Sequence, residues 1–206
     1  NYFNASSVDT NGFDVEMKNQ KQLAKSGQKF ETENLDLQWN LDTKSSHSIF
    51  VGYDNESISS KIINYANRGD EIIIVLKNTP FYSESGGQIG DTGIIKNDDF
   101  SAKVNDTQKN GDYVLHICTL KKGSIGKNLF VDCIIDVDRR NNIKMNHTAT
   151  HLLHQSLKDV LGSHINQAGS LVHPKYLRFD ISHPNKISKK ELDDIELIVN
   201  CLLYTS

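Results

Sequence analysis

Six short apolar runs, separated by residues that favour turns, occupy the middle of the chain and restrict its fold most. Each run has the length and composition of a β-strand. The predicted strands are His47–Tyr53, Glu71–Lys77, Asp91–Lys96, Phe100–Asn105, Tyr113–Thr119 and Leu129–Val137. Six strands at this spacing predict a small, mostly antiparallel barrel or sandwich.

Gly, Asn and Asp supply the turn chemistry between these runs. The predicted turns are Asn67–Asp70, Asn97–Asp99, Lys109–Asp112 and Lys122-Gly123. Cys118 and Cys133 fall inside predicted strands, and we interpret them as buried small hydrophobic residues. The three cysteines are odd in number and widely spaced, which argues against a disulfide framework and predicts a reducing cytoplasm.

A long helix is predicted to follow, over Arg139–Leu161, with Asp138 as its N-cap and Gly162 at its end. At about 100° per residue, His147 and His151 lie about 40° apart on one face of this helix. The apolar residues predicted for the other face are Met145, Ala149, Leu152, Leu153, Leu157, Val160 and Leu161. The helix is therefore predicted to bury one face and to turn its histidine pair the other way.

Histidines at i and i+4 on a helix can bind a single zinc ion. The same spacing also fits two solvated or hydrogen-bonded side chains, and a zinc site takes at least three protein ligands. Six of the eight histidines fall in the last third of the chain, which favours a histidine-rich site there. The ligand and the solvated interpretations both stay open at this point.

The chain after this helix continues with a polar loop over Ser163–Val172 that turns into a strand. Tyr176–Ile181 alternates as a further strand. Ser188 and Glu191 form a capping box that opens a second helix. Its apolar stripe is predicted as Leu192, Ile195 and Val199. A barrel followed by helix, strand and helix predicts an α+β fold.

A glycine-rich segment, Thr79–Gly93, connects the second and third predicted strands. Four glycines in eight positions allow positive φ and a close backbone approach to a ligand. The alternative is a tight, irregular connection. A phosphate-binding loop is excluded because no Gly-Lys-Ser/Thr follows.

Composition indicates a globular protein, with 24% charged and 37% hydrophobic residues and a net charge of −3. Without a run of about 18 apolar residues, no membrane span is expected. Residues 1–138 carry 14 basic and 20 acidic side chains, giving −6, whereas residues 139–206 carry 9 and 6, giving +3. The positive part is compatible with an anionic partner such as RNA, and also with ordinary surface scatter.

The start of the chain has no initiator methionine and no charged segment followed by an apolar one, as a signal peptide has. This predicts an internal fragment of a longer protein. Residues 1–45 are polar, and Asp9 or Asn11 could cap a helix through Glu16–Gln22. We interpret this charged helix as part of a linker.

Four blocks together resemble the editing region of the alanyl-tRNA synthetase family, in the order that the family has them. The blocks are Thr79–Gly93 (TPFYSESGGQIGDTG), Asn146–His154 (NHTATHLLH), Leu161–Val172 (LGSHINQAGSLV) and Leu177–His183 (LRFDISH). The resemblance runs from about residue 9 to 200. It implies a helical linker over residues 1–45, a β-barrel over 46–138 and the editing core shared by threonyl- and alanyl-tRNA synthetases over 139–200.

The resemblance also implies a function. The family ligates alanine to its tRNA with ATP and Mg²⁺ in an N-terminal catalytic domain that this chain lacks. Its editing region hydrolyses tRNA(Ala) mischarged with serine or glycine at a zinc site. The implied partner is therefore the acceptor end of tRNA(Ala) in the cytoplasm, without a role for DNA or a membrane.

Individual residues match the motifs of the family. His147 and His151 match its His-x-x-x-His zinc ligands, and Thr150 matches the threonine that senses the serine hydroxyl. Gln167 matches a glutamine that lines the editing pocket, which makes Thr150 and Gln167 the expected catalytic residues. Gly86 and Gly87 match the paired glycines of the loop that approaches the substrate. His154 is a candidate to support the ligands or a surface histidine, and His164 and His173 are expected to be structural.

The family's second ligand pair, Cys-x-x-x-His, does not occur after His151. Residues 201–206 depart from the family pattern and resemble translated adapter sequence, so we interpret them as a non-native tail and do not assign Cys201 to the metal. The sequence thus offers two of four expected ligands. A free-standing editing hydrolase and a tRNA-binding module without metal remain the alternatives.

Overall fold

A computed structural model of the chain describes residues 38–41 and 47–205. Nearly all of the predicted linker, including the helix expected at Glu16–Gln22, lies outside these residues. The described part contains ten strands and two helices. They are β1 (Ile49–Phe50), β2 (Ser57–Arg68), β3 (Glu71–Leu76), β4 (Asn78–Thr79), β5 (Gly93–Lys96), β6 (Phe100–Asn110), β7 (Tyr113–Gly123), β8 (Phe130–Ile135), α1 (Val137–Leu161), β9 (Asn166–His173), β10 (Tyr176–Ser182) and α2 (Lys189–Thr205).

Six strands close into an antiparallel barrel in the order β2-β3-β7-β6-β5-β8, with β8 pairing back onto β2. Alternate side chains fill its interior, because successive residues of a strand point to opposite faces. Fully buried core residues include Ile62, Ile74, Leu76, Phe81, Ile95, Val104, Cys118 and Cys133. The structure confirms a barrel rather than a sandwich, and it confirms the burial of both strand cysteines.

The membership of the barrel differs from the prediction at one strand. The predicted strand His47–Tyr53 is wrong as a barrel strand, since only Ile49–Phe50 is extended and it pairs in parallel with β4. The chain turns at Gly52, where a Cβ atom would lie 2.1 Å from the carbonyl oxygen of Pro80. The sixth barrel strand is instead β2, which the sequence analysis did not predict.

Helix α1 begins two residues before its predicted start, directly after the barrel. Its N-cap is Asp136 and not Asp138, because the Asp136 carboxylate accepts a hydrogen bond from the backbone N–H of Arg139 at 3.0 Å. Asp138 lies in the first turn, where its negative charge interacts favourably with the helix dipole. Gly162 ends the helix as predicted, and its N–H donates to the carbonyl of Lys158.

The predicted apolar face of α1 is correct only in the second half of the helix. Met145 is 62% exposed. The buried residues of the first half are Arg140 and Ile143. This half contacts the glycine-rich segment through polar side chains, which a hydrophobic pattern does not reveal.

A smaller unit follows the barrel, in which α1 packs against α2 and against an antiparallel pair formed by β9 and β10. Its core comprises Leu157, Ile165 and Ile195, with Leu153, Val160, Leu161, Phe179, Ile181 and Val199 around them. The capping box is confirmed, because the N–H of Ser188 donates to Glu191 and the N–H of Glu191 donates to Ser188 Oγ. Leu192, predicted for the apolar stripe, is instead 47% exposed.

Barrel, helix, strand pair and helix together confirm the α+β fold. Cys201 lies in α2, on its exposed surface. Neither of the described helices is both long and apolar enough to cross a bilayer.

Candidate functional site

The predicted histidine pair lies on adjacent turns of α1, with its two rings side by side. The ring centroids of His147 and His151 are 5.0 Å apart, and the ring planes differ by 17°. His147 is partly buried and His151 is exposed. The pair therefore forms one edge of a site that is open to solvent on the side of His151.

Gly86 and Gly87 form a two-residue turn between Ser85 and Gln88. The backbone N–H of Ser85 donates to the carbonyl of Gln88 at 3.1 Å, and the N–H of Gln88 donates back to Ser85 at 3.0 Å. Gly86 has φ +60° and Gly87 has φ +86°. Two consecutive positive φ values are typical of hairpin turns of type I′, which explains the glycine pair.

This glycine turn, residues 85–88, docks on strand β9. The N–H of Val172 donates to the carbonyl of Gly87 at 2.7 Å, and the N–H of Ile89 donates to Val172 at 3.3 Å. A Cβ atom on Gly87 would lie only 2.2 Å from Ser170 Oγ. The close approach that Gly87 permits is therefore to β9, and the turn is fixed to the strand that carries Gln167.

Gln88 connects the glycine turn to the histidine pair. Its side-chain Oε1 lies 2.8 Å from His147 Nδ1, and the residue is only 7% exposed. The sequence does not reveal this contact, because the two residues are 59 positions apart. The one signal for it was the position of Gln88 directly after the glycine pair.

Gln167 lies at the exposed end of β9, within a chain of long hydrogen bonds that leads to the glycine turn. Its Nε2 donates to Ser170 Oγ at 3.3 Å, and Ser170 Oγ donates to the carbonyl of Gly86 at 3.4 Å. Gln167 thus lies on the strand against which the turn is docked.

Thr150 lies next to His151 on the buried side of α1 and is 7% exposed. Its hydroxyl donates to the carbonyl of Asn146 at 2.7 Å. The amide of Asn146 in turn donates to the carbonyl of His173 at 2.6 Å, which holds this turn of α1 against the end of β9. The Thr150 oxygen keeps its capacity to accept a hydrogen bond.

A buried ion pair fixes the start of α1 to the glycine-rich segment. Arg140 contacts both carboxylate oxygens of Asp91 and also donates to the carbonyls of Gly52 and Pro80 at 2.9 Å. Asp91 also accepts from the N–H of Tyr82 at 2.7 Å. The sequence gives no sign that these two residues pair, since they lie 49 positions apart.

The remaining histidines of this unit lie in different surroundings. His154 packs against Phe179 with ring centroids 5.0 Å apart, and its buried Nε2 has no hydrogen-bond partner among the described residues. His164 Nε2 lies 3.0 Å from His183 Nδ1, and His173 stacks on Tyr176. The contacts of His164 and His173 are thus with neighbouring side chains of this unit.

The two imidazoles fit a metal ion as two of its ligands. Burial lowers the pKa of His147, and the neighbouring His151 lowers it further, which favours the neutral form of the ring. Neutral imidazole is the form that binds metals. Among the described residues, no group of three or more His, Cys, Asp or Glu side chains surrounds a common point. The described residues therefore do not by themselves supply the three protein ligands that a zinc site takes.

Comparison with known proteins identifies the family. The profile of the tRNA synthetases class II (A) matches residues 4–139. The chain is 44% identical to the alanine–tRNA ligase of Oceanobacillus iheyensis, 43% to that of Thermoanaerobacter sp. and 40% to that of Bacillus subtilis. Each alignment covers 97% of this chain and 24% of the relative. The chain thus spans about a quarter of the length of these relatives, and it belongs to the class II (A) tRNA synthetases.

Proposed function

We propose that this chain is the editing region of an alanine–tRNA ligase and that it hydrolyses the ester bond of tRNA(Ala) carrying serine or glycine. The observation that carries the proposal is the joining of His147 and His151 to the glycine turn. The rings lie 5.0 Å apart, and His147 contacts Gln88 of that turn. Because the turn docks on β9 and β9 pairs with β10, all four sequence blocks that resemble the editing region adjoin one another.

An aminoacyl ester is already activated, so the site has to position a water molecule, stabilise the developing oxyanion and reject the correct substrate. His147 and His151 would hold a zinc ion together with ligands beyond the described residues. When bound, zinc orients the aminoacyl end or polarises a water molecule.

In this proposal Thr150 distinguishes serine from alanine. Because its own proton is donated to Asn146, its oxygen is left as an acceptor for the hydroxyl of a serine substrate. Alanine lacks this donor, and a buried polar group without its partner costs binding free energy. The hydroxyl of Thr150 therefore favours seryl over alanyl esters.

Gln167 acts in this proposal as a positioning and electrostatic residue. An amide side chain does not titrate near neutral pH, which excludes general-base catalysis by Gln167. Its exposed position on β9 leaves it accessible to the end of a tRNA. Its amide group can donate to a substrate carbonyl or to the attacking water.

Two other functions are distinguishable from this one. A free-standing editing hydrolase is excluded if the gene encodes a class II ATP-binding domain upstream of these residues. A tRNA-binding module without metal would bind tRNA(Ala) but would not hydrolyse its esters. The incomplete ligand set among the described residues is the observation that favours this second alternative.

The test is deacylation of Ser-tRNA(Ala) by the full gene product, with and without a zinc chelator. We expect hydrolysis that the chelator inhibits and that His147→Ala abolishes. The exposed substitution His47→Ala, outside the site, serves as the matched control and should leave the rate unchanged. Binding of tRNA(Ala) without any deacylation would support the module instead.

A further inference from the structure

Gln88 and His147 form a polar contact whose geometry determines which ring nitrogen faces the site. We propose that Gln88 is a positioning residue that keeps the proton of His147 on Nδ1 and leaves a lone pair on Nε2. The contact joins Gln88 Oε1 and His147 Nδ1 at 2.8 Å. The role of that lone pair in binding rests on the proposed function, whereas the effect on the ring itself does not.

The main chain at Gln88 is held in place on two sides. Its N–H and carbonyl both bond to Ser85 across the glycine turn, at 3.0 and 3.1 Å. It also lies in a parallel bridge opposite Val172 of β9. A side chain that starts from a fixed backbone position and is 7% exposed loses little entropy when it contacts His147.

The chemistry of the two groups then determines the tautomer. Neutral imidazole has one N–H and one lone pair, and an amide oxygen only accepts. With Oε1 facing the ring, Nδ1 has to be the donor and Nε2 the acceptor. If the amide group of Gln88 were flipped, its NH₂ group would donate to the lone pair of Nδ1. Nε2 would then carry the proton and would have no lone pair for a ligand.

This arrangement explains why the glycine pair precedes Gln88. The tight turn with positive φ at Gly86 and Gly87 directly precedes Gln88, whose side chain contacts His147 on α1. The glycine turn thus acts on the histidine pair through Gln88. Groups that orient a metal-binding histidine in this way contribute about 10- to 100-fold to metal affinity.

The test is the tautomer of His147 in the chain without metal, read from the ¹⁵N shifts of its two ring nitrogens at about pH 8, where imidazole is neutral. We expect the Nδ1–H tautomer in the wild type. Gln88→Met, which keeps the length of the side chain but has no acceptor, should lose this preference. Gln88→Glu restores an accepting oxygen and should restore the tautomer. Gln155→Met is the matched control on the exposed face of α1 and should leave the spectrum of His147 unchanged.

An Nε2–H tautomer in the wild type would overturn the inference without any variant, even if Gln88→Met failed to fold. An unchanged tautomer in folded Gln88→Met would also overturn it. In the full gene product, zinc affinity should fall about 10- to 100-fold in Gln88→Met and recover in Gln88→Glu.

The two proposals fail separately. An Nδ1–H tautomer that depends on Gln88, in a protein that does not hydrolyse Ser-tRNA(Ala), would support the role of Gln88 and reject the editing function. Zinc-dependent hydrolysis with a His147 tautomer that does not depend on Gln88 would support the editing function and reject the role of Gln88.

Discussion

His147 Nδ1 lies 2.8 Å from Oε1 of Gln88, and this contact joins a helix of the smaller unit to a turn that leaves the barrel. The buried pair of Arg140 and Asp91 joins the same two parts of the chain, seven residues earlier on the helix. One contact holds the ring of His147, and the other holds the helix that carries it. The site is therefore formed by the way in which α1 packs against the glycine-rich segment.

The two glycines of the turn should differ in their tolerance of alanine. Both have positive φ, which costs a residue with a Cβ about 1–2 kcal/mol. Gly87→Ala would also place a Cβ 2.2 Å from Ser170 Oγ and 2.6 Å from its carbonyl oxygen, whereas Gly86→Ala meets nothing within 4 Å. Urea unfolding should show a loss of about 1–2 kcal/mol for Gly86→Ala and about 2–5 kcal/mol for Gly87→Ala. Equal losses would mean that the turn does not dock on β9.

Removing the buried cation at the start of α1 should destabilise the protein strongly. Arg140→Met leaves the Asp91 carboxylate buried without its partner, and we expect a loss of about 3–5 kcal/mol in the free energy of unfolding. Arg178→Met breaks an exposed pair with Asp180 and should cost about 0–1 kcal/mol. Denaturant unfolding followed by circular dichroism measures both. Similar small losses in the two variants would contradict the anchoring role of Arg140.

The barrel should lose stability in mild acid because of His116. This residue is fully buried, with Nδ1 donating to the carbonyl of Ile74 at 2.9 Å and Nε2 lying 2.7 Å from Thr79 Oγ1. Burial lowers the pKa of His116 to about 4, although the bond to Ile74 opposes this shift. In the unfolded chain the pKa is about 6.5, so the unfolded state binds more protons between pH 6.5 and about 4.

Stability should therefore fall as the pH decreases from 6.5 to about 4, by about 3 kcal/mol from this group, and the contribution should be constant below that range. Carboxylates add their own acid dependence, so the measurement is a comparison of unfolding free energies against pH for the wild type and His116→Gln. We expect a flatter curve for the variant in this window. Parallel curves would show that the imidazole is not kept neutral in the folded barrel.

Thr150 should control the choice between seryl and glycyl esters. Thr150→Val removes the accepting oxygen, and the loss of one buried hydrogen bond of about 1–3 kcal/mol corresponds to about 5- to 150-fold in kcat/KM. Deacylation of Ser-tRNA(Ala) should fall by this factor, while deacylation of Gly-tRNA(Ala) should change little. Ser156→Ala is the control, since its hydroxyl also donates to a helix carbonyl, that of Leu152 at 2.8 Å. Equal losses on both substrates would reject a role for Thr150 in specificity.

Most of the barrel could be predicted because apolar and polar residues alternate along its strands and the strands end in recognisable turns. Strand β2 could not, since serine, lysine and asparagine dominate its sequence and lower its strand propensity. A register shift between Ile62 and Asn64 also interrupts its alternation. Ser60 is buried there because its hydroxyl donates to the carbonyl of Asn78 at 2.7 Å, a compensation that only the folded structure shows.

The histidine pair could be placed on one helix face from its spacing alone, because a four-residue interval is local geometry. The residues that hold the site together could not. Gln88 and His147 are 59 positions apart, and Asp91 and Arg140 are 49 apart. Such contacts depend on how the barrel and helix pack, and a single sequence carries no periodic signal for them. The start of α1 has few apolar residues, and this is an indirect sign that polar contacts hold that part of the helix.

X-ray absorption at the zinc edge of the full gene product measures whether His147 and His151 bind the metal of the proposed editing site. We expect about one equivalent of zinc with imidazole nitrogen ligands, and a loss of zinc or of one imidazole in His147→Ala. Zinc with an unchanged coordination shell in both His147→Ala and His151→Ala, or a protein that binds no zinc at all, would show that this histidine pair does not bind the metal.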